Sequence, residues 1–242
     1  MTLQKAIDSY NRRNGTGLSP IAALIDMDGT LYDSMSNHAQ AWHRMISELG
    51  IDCTPEEFFL YEGRTGTDTI NIMWQRAYGK NADAETARDL YNRKAAYFAE
   101  MPQPSTIDGA QPAIATMMQL GLTTILVTGS SQPTTLNRLD TDFPGAFPAD
   151  RRITSASVEH GKPHPEPFLK AMELIKAKPW QCIAIDNAPL GVESAAKSGA
   201  FTIGLVTGPI QPETLYHAGA DIVYTSMNSL ECDLPVFLSK QS

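Results

Sequence analysis

The stretch Ile21-Ala22-Ala23-Leu24-Ile25-Asp26-Met27-Asp28-Gly29-Thr30-Leu31-Tyr32-Asp33-Ser34 decides how this chain is read. Its five leading apolar residues run without alternation, the pattern of a strand buried on both faces of a parallel sheet, and the run ends in acid. Asp26 and Asp28 stand two apart, which on an extended backbone puts both carboxylates on one side, and Gly29 lets the chain turn sharply beneath them. Such a pair suits phosphoryl transfer. One carboxylate can attack phosphorus and become an aspartyl phosphate, while the other hands a proton to the leaving oxygen and later takes one from water. A divalent cation is expected between them. An EF-hand calcium loop beginning at Asp26 is excluded, because its last ligand should be Glu where Asn37 stands. A plain acidic turn after a strand is the competing reading of these few residues.

Working outward, 242 residues are enough for a real core, either as one large domain or as a core with an insertion. The net charge of -8 and pI near 5.1, with no basic stripe, argue against nucleic acid or a membrane surface as a general partner. Cys53, Cys182 and Cys232 are odd in number, far apart and without metal spacing, so we expect reduced thiols and neither a disulfide framework nor a zinc site. No apolar signal core opens the chain, and no apolar run approaches the roughly 20 residues of a membrane span. The expected compartment is the cytoplasm. Nothing in the sequence gives an oligomeric state.

Before the opening motif, Leu3, Ala6, Ile7 and Tyr10 mark a short amphipathic helix that ends near Asn14-Gly15-Thr16-Gly17. After it, Ala39, Trp42, Met45, Ile46 and Leu49 predict a helix closed by Gly50. Thr54-Pro55-Glu56-Glu57 predicts a second helix, opened by a capping box with proline at its first position. Glu62-Gly63-Arg64-Thr65-Gly66 breaks the pattern; a third helix follows through Ile70, Met73, Trp74 and Ala77, and a fourth from Asp83 to Glu100. Residues 35–104 therefore read as an inserted helical cap, with 1–34 and 105–242 as the core. From Ile107 strands and helices alternate: a helix to Leu120, a strand Leu122 to Val127, a helix after Pro133, a strand near Arg152 to Thr154, a helix from Pro165, and strands at Cys182 to Ile185, Phe201 to Leu205 and Asp221 to Tyr224. This predicts an α/β doubly wound parallel sheet, with ligands off the carboxyl ends of the strands.

Three further motifs sit where that rule puts them. Thr128-Gly129-Ser130-Ser131 follows a strand and offers a hydroxyl and backbone N–H groups at a helix start, suited to a phosphoryl group, although an ordinary helix cap reads the same way. Lys162, in Gly161-Lys162-Pro163-His164-Pro165, lies in a loop stiffened by two prolines, and its ammonium could neutralise both phosphate and nucleophile. Asp186-Asn187 follows the strand ending at Ile185, giving a further metal ligand and a neutral oxygen that could bind metal or orient a water.

The ordered set Asp-x-Asp-Gly-Thr, Thr-Gly-Ser, Gly-Lys-Pro and acid-Asn-x-x-x-Gly resembles the haloacid dehalogenase superfamily along almost the whole chain, most closely its β-phosphoglucomutase-like phosphatases. The resemblance implies a Rossmann-like core with a helical cap, Asp26 as nucleophile and Asp28 as general acid/base. It implies Mg2+ held by Asp26, the backbone carbonyl of Asp28 and Asp186, with Thr128 and Lys162 on the phosphoryl group and Gly129 and Ser130 lining its cradle. His38 matches a family histidine near Asp28. The neutral Asn187 departs from relatives that carry a second acid there. The loop at Glu62 and Arg64 is the one that reaches the substrate in the family, where the mutase subgroup places cations to grip a second phosphate. A carboxylate at about 4 Å from a phosphate is repelled by roughly 4 kcal/mol at an effective dielectric near 20, so Glu62 fits the site only beside a cation. A bacterial branch sharing the Glu-Gly-Arg-Thr-Gly and Asn-Ala-Pro-Leu-Gly-Val-Glu strings implies inorganic pyrophosphate as substrate, with Glu62 contacting Mg2+. The expectation is a Mg2+-dependent phosphohydrolase of pyrophosphate or a small phosphorylated metabolite. A sugar-phosphate mutase and a silent binding protein on the same fold are the alternatives.

Overall fold

The computed structural model describes residues 1–130 and 133–238. Its centre is a parallel sheet of six strands in the order β3-β2-β1-β4-β5-β6. In chain order the elements are α1 (Leu3–Asn14), β1 (Ala22–Ile25), α2 (Met35–Ser47), a 3-10 segment (Pro55–Tyr61), α3 (Gly66–Tyr78), α4 (Ala84–Ala99), α5 (Ala110–Gln119) and β2 (Thr123–Val127). There follow α6 (Pro133–Leu136), α7 (Leu139–Asp142), β3 (Arg152–Ile153), α8 (Glu166–Leu174), β4 (Cys182–Asp186), α9 (Pro189–Ser198), β5 (Phe201–Leu205), α10 (Pro212–His217), β6 (Ile222–Tyr224) and α11 (Met227–Leu238).

β1 explains why the opening run is apolar throughout. All four of its residues are buried, with Ala23 and Ile25 packed into one core cluster beside α1, α5 and α11, and Ala22 and Leu24 into a second beneath α8. Each large side chain so buried is worth about 1.5–3 kcal/mol of transfer free energy, so no position of β1 tolerates a polar residue. The strand order reverses at β1, whose neighbours are β2 on one side and β4 on the other. Ligands bind at such a switch point, off the carboxyl ends of the strands.

Between β1 and β2 the helices α2, α3 and α4 and the 3-10 segment gather around their own cluster, including Trp42, Met45, Phe58, Ile70, Met73 and Leu90. One local expectation here needs correction. The segment after Thr54 winds as a 3-10 helix, and Thr54 makes no capping bond. The Glu57 carboxylate accepts from Tyr61 Oη at 2.7 Å and pairs with Arg76 on α3. The Glu57 N–H that a cap would use bonds the Thr54 carbonyl at 3.3 Å instead, the i→i+3 pattern of a 3-10 turn. The helix expected after Pro133 is present and short, α6 and α7 having four residues each. Among the described residues no helix is long and apolar enough to cross a membrane.

Candidate active site

β1 and β4 run side by side with Ile25 in register with Ile185, so the next residue of each chain segment, Asp26 just past β1 and Asp186 at the end of β4, emerges at the switch point. Met27 packs into the core while Asp26 and Asp28 both line the same cavity, as the two-residue spacing predicts. Gly29 turns the chain at φ +80°, and a side chain there would collide with Asn187 and Glu62. Only glycine satisfies both demands.

Lys162 reaches between the two acids. Its Nζ donates to Asp26 Oδ1 at 2.6 Å and to Asp186 Oδ2 at 2.7 Å, and the residue is 1% exposed. Charge-assisted bonds this short fix all three groups. Burial pushes Asp26 up to about 7, against the opposing pull of Lys162. The same burial would lower Lys162, but Asp186 and Asp26 outweigh it and hold the ammonium above the ordinary lysine range. Asp186 is anchored from its other oxygen, which accepts the Ala188 N–H at 3.0 Å.

Glu62 is buried and comes down from the helical insertion to meet this group. Its Oε1 accepts from Asn187 Nδ2 at 2.7 Å, while Asn187 Oδ1 accepts from Thr30 Oγ1 at 3.1 Å. Asn187 therefore holds Glu62 and is itself held by the opening loop. Burial pushes Glu62 well above its ordinary range; the Asn187 bond opposes this, and the charges of Asp26, Asp186 and Asp28 add to it.

On the other side of the cavity Asp28 Oδ1 accepts from Ser34 Oγ at 2.6 Å and from His38 Nε2 at 3.0 Å. His38 Nδ1 lies 2.5 Å from Nζ of Lys94, which is 2% exposed and stands over the rings of Trp42 and Phe98. An ammonium donating to Nδ1 requires the neutral imidazole with its proton on Nε2, which then donates to Asp28. Burial followed by Lys94 pushes the His38 pKa down, in keeping with that tautomer. Burial opposes ionisation of Asp28, yet His38, Ser34 and Lys94 together hold its carboxyl below the usual range.

Lys94 and Ser34 are the participants that the motifs did not point to. The signal for Lys94 was present: it lies on the apolar stripe Ala87, Leu90, Phe98 of α4, where a lysine is costly unless paired. Ser34 precedes α2 without capping it, its hydroxyl being spent on Asp28.

The expected phosphoryl cradle is at the end of β2. Thr128 is buried, and its Oγ1 accepts the Ser130 N–H at 3.0 Å; Thr128, Gly129 and Ser130 all line the cavity. Ser131 lies outside the described residues. Arg64 lines the same cavity, and its Nε is buried without a hydrogen-bond partner among the described residues. The cavity has a volume of about 70 Å3, several times the roughly 10–15 Å3 that admits one water.

The donor set suits a hard cation. Asp26 and Asp186 share one ammonium, Lys162, with Glu62 buried on Asn187 in the same cavity, and carboxylate oxygens of this kind are what Mg2+ prefers. Among the described residues, the acids of this cavity do not bring three ligand atoms within 4.8 Å of one another; His160, His164 and Glu166 do. There Glu166 already accepts from the N–H groups of Glu159 and His160, from the His160 ring and from Lys170, so it anchors its loop.

A parallel sheet ordered this way, with an acid pair after its central strand and a helical insertion bearing on it, defines a Rossmann-like α/β hydrolase core. The chain belongs to the haloacid dehalogenase-like hydrolase family, whose model matches residues 22–199. It is similar to validoxylamine A 7'-phosphate phosphatase of Streptomyces hygroscopicus subsp. limoneus, 30% identical over 188 residues that span 76% of this chain and 85% of that one. It is similar also to hexitol phosphatase A of Escherichia coli, 26% identical over 182 residues, 75% of this chain and 81% of that one. Among solved structures, a Bacteroides vulgatus protein provisionally named as a β-phosphoglucomutase superposes with a TM-score of 0.93 at 37% identity, covering 98% of both chains.

Proposed function

We propose that this protein is a Mg2+-dependent phosphohydrolase that works through an aspartyl phosphate on Asp26, with inorganic pyrophosphate or another small phosphorylated metabolite as substrate. The observation that carries the reading is Lys162 bonded at once to Asp26 and Asp186, both of which line the cavity. That contact leaves Asp26 fixed, desolvated and beside a permanent positive charge, as a carboxylate nucleophile facing an anionic phosphate requires.

In this reading Asp26, the Asp28 carbonyl, Asp186 and Glu62 hold the cation, which supplies charge neutralisation for the phosphoryl oxygens. Thr128, Gly129 and Ser130 hold the transferring group, and Arg64 turns its unpartnered Nε to the far end of the substrate. Asp28 moves the proton to the leaving oxygen, positioned by Ser34 and the His38–Lys94 pair. Asn187 keeps Glu62 over the site. Residues 35–104 act as a cap on a core formed by 1–34 and 105–242, and the small cavity beneath Glu62 favours small substrates. A cytoplasmic location belongs to the same proposal.

A mutase is the second reading, favoured by the 0.93 superposition on the Bacteroides vulgatus structure. Incubation with β-glucose 1-phosphate and a trace of the bisphosphate separates the two: glucose 6-phosphate would mark a mutase, and free phosphate the hydrolase. A parallel screen of pyrophosphate against small monoesters with Mg2+ tests the substrate. Pyrophosphate hydrolysed no faster than the monoesters would remove it from the proposal.

A further inference from the structure

Besides Gly29, where Glu62 comes close, the insertion presses on the core at two further positions where the core has no side chain. A Cβ on Gly129 would lie 2.7 Å from the carbonyl oxygen of Gly63 and 2.9 Å from that of Arg64. A Cβ on Gly161 would lie 2.5 Å from Thr65 Cγ2 and 3.2 Å from Thr65 N. Neither glycine sits at positive φ, so neither is required by its own backbone. What excludes a side chain is the loop pressing down from above.

We infer that Gly129 and Gly161 are docking seats for the cap loop Gly63-Arg64-Thr65, and that seating this loop is what brings Glu62 and Arg64 to the substrate. The inference rests on the phosphatase reading for its consequence, but the seat itself is a matter of contact.

The two seats differ in how they could be filled. At Gly129 the neighbours are backbone carbonyls, which cannot retreat without moving the whole loop. At Gly161 the nearest atom is one methyl group of Thr65. Thr65 is otherwise occupied as the N-cap of α3, its Oγ1 accepting the Asp68 N–H at 3.2 Å and donating to Asp68 Oδ2 at 2.7 Å. Serine keeps both bonds and removes only the methyl. Size selection follows from the seat. A leaving group too large for the cavity would lift the loop off Gly129 and Gly161 together, withdrawing Glu62 and Arg64 from the reacting phosphate.

The test is a cycle of Gly161→Ala, Thr65→Ser and the double variant, read by hydrogen exchange of the segment 59–66 and by kcat/KM for pyrophosphate. Gly161→Ala should speed exchange in that segment alone and lower kcat/KM by about 10-fold or more, the consequence of an overpacked contact. Thr65→Ser should by itself leave both near wild type. Added to Gly161→Ala it should bring kcat/KM back to within about threefold and restore slow exchange, since the clashing methyl is gone. Unchanged exchange in Gly161→Ala overturns the seat. So does a double variant no better than Gly161→Ala, because the damage would then come from a displaced Lys162. Exchange needs no turnover, so it judges the seat separately, and a wild-type chain that releases no phosphate would overturn the phosphatase reading alone.

Discussion

At the scale of single residues the site is a set of titratable groups made unequal by their neighbours. Asp26 faces a lysine and Asp28 faces a neutral imidazole, so two carboxyls two positions apart are suited to different tasks. Asp26→Asn should abolish phosphate release, whereas Asp28→Asn should lose roughly 10²- to 10⁴-fold in kcat, the usual worth of a positioned acid/base. Equal and mild losses in a phosphate-release assay would contradict these roles. Lys94 gives a prediction with a definite sign in pH. Burial lowers its pKa to about 7 from the ordinary 10.5, so between those values the unfolded chain binds the proton that the folded chain has released. Stability from this group therefore rises with pH across that window and is flat below it. Lys94→Met should remove the rise, which is checked by comparing urea midpoints at about pH 7 and about pH 9 for both proteins. A wild type with the same pH slope as the variant would mean that Lys94 keeps its proton when folded.

At the scale of elements, what matters is which end of each strand meets which helix. The first turn of α9 crosses directly over Asp186, and a Cβ on Gly191 would fall 2.1 Å from that carboxylate. Gly191→Ala should therefore leave the sheet intact while turning Asp186 aside, weakening Mg2+ activation by about 10- to 100-fold, as displaced supporting contacts do. Titrating activity against Mg2+ checks it, and an unchanged activation constant would show that α9 yields instead. The same scale shows where local sequence rules stop. Thr54 and Glu57 carry every local mark of a capping box, yet the Thr54 hydroxyl makes no cap, the Glu57 N–H being taken by the Thr54 carbonyl as the segment winds into a 3-10 helix.

At the scale of the whole molecule, the acids that would hold a cation come from β1, β4 and the helical insertion, segments separated by up to 160 positions between Asp26 and Asp186. Binding there ties those segments together only in the folded state, so Mg2+ at about 100 times its dissociation constant should stabilise the protein by about 2.7 kcal/mol. A thermal melt with Mg2+ and then with excess chelator measures the effect, and Asp186→Asn should abolish the difference. A melt indifferent to the cation would place it elsewhere.

The sequence by itself determined the strands, the doubly wound parallel class of the sheet, and which residues (Asp26, Asp28, Thr128, Lys162 and Asp186) follow strands, because buried parallel strands must be apolar without interruption and whatever follows them lies at the ligand edge. The helical insertion was legible for the same reason, through its repeating apolar faces. The tertiary structure alone decided that Lys162 lies between two aspartates, that Asn187 serves Glu62, and that Lys94 completes a chain through His38 to Asp28. These are pairings between distant side chains, chosen by burial and by the need to satisfy every buried charge, and no periodicity along the chain encodes them.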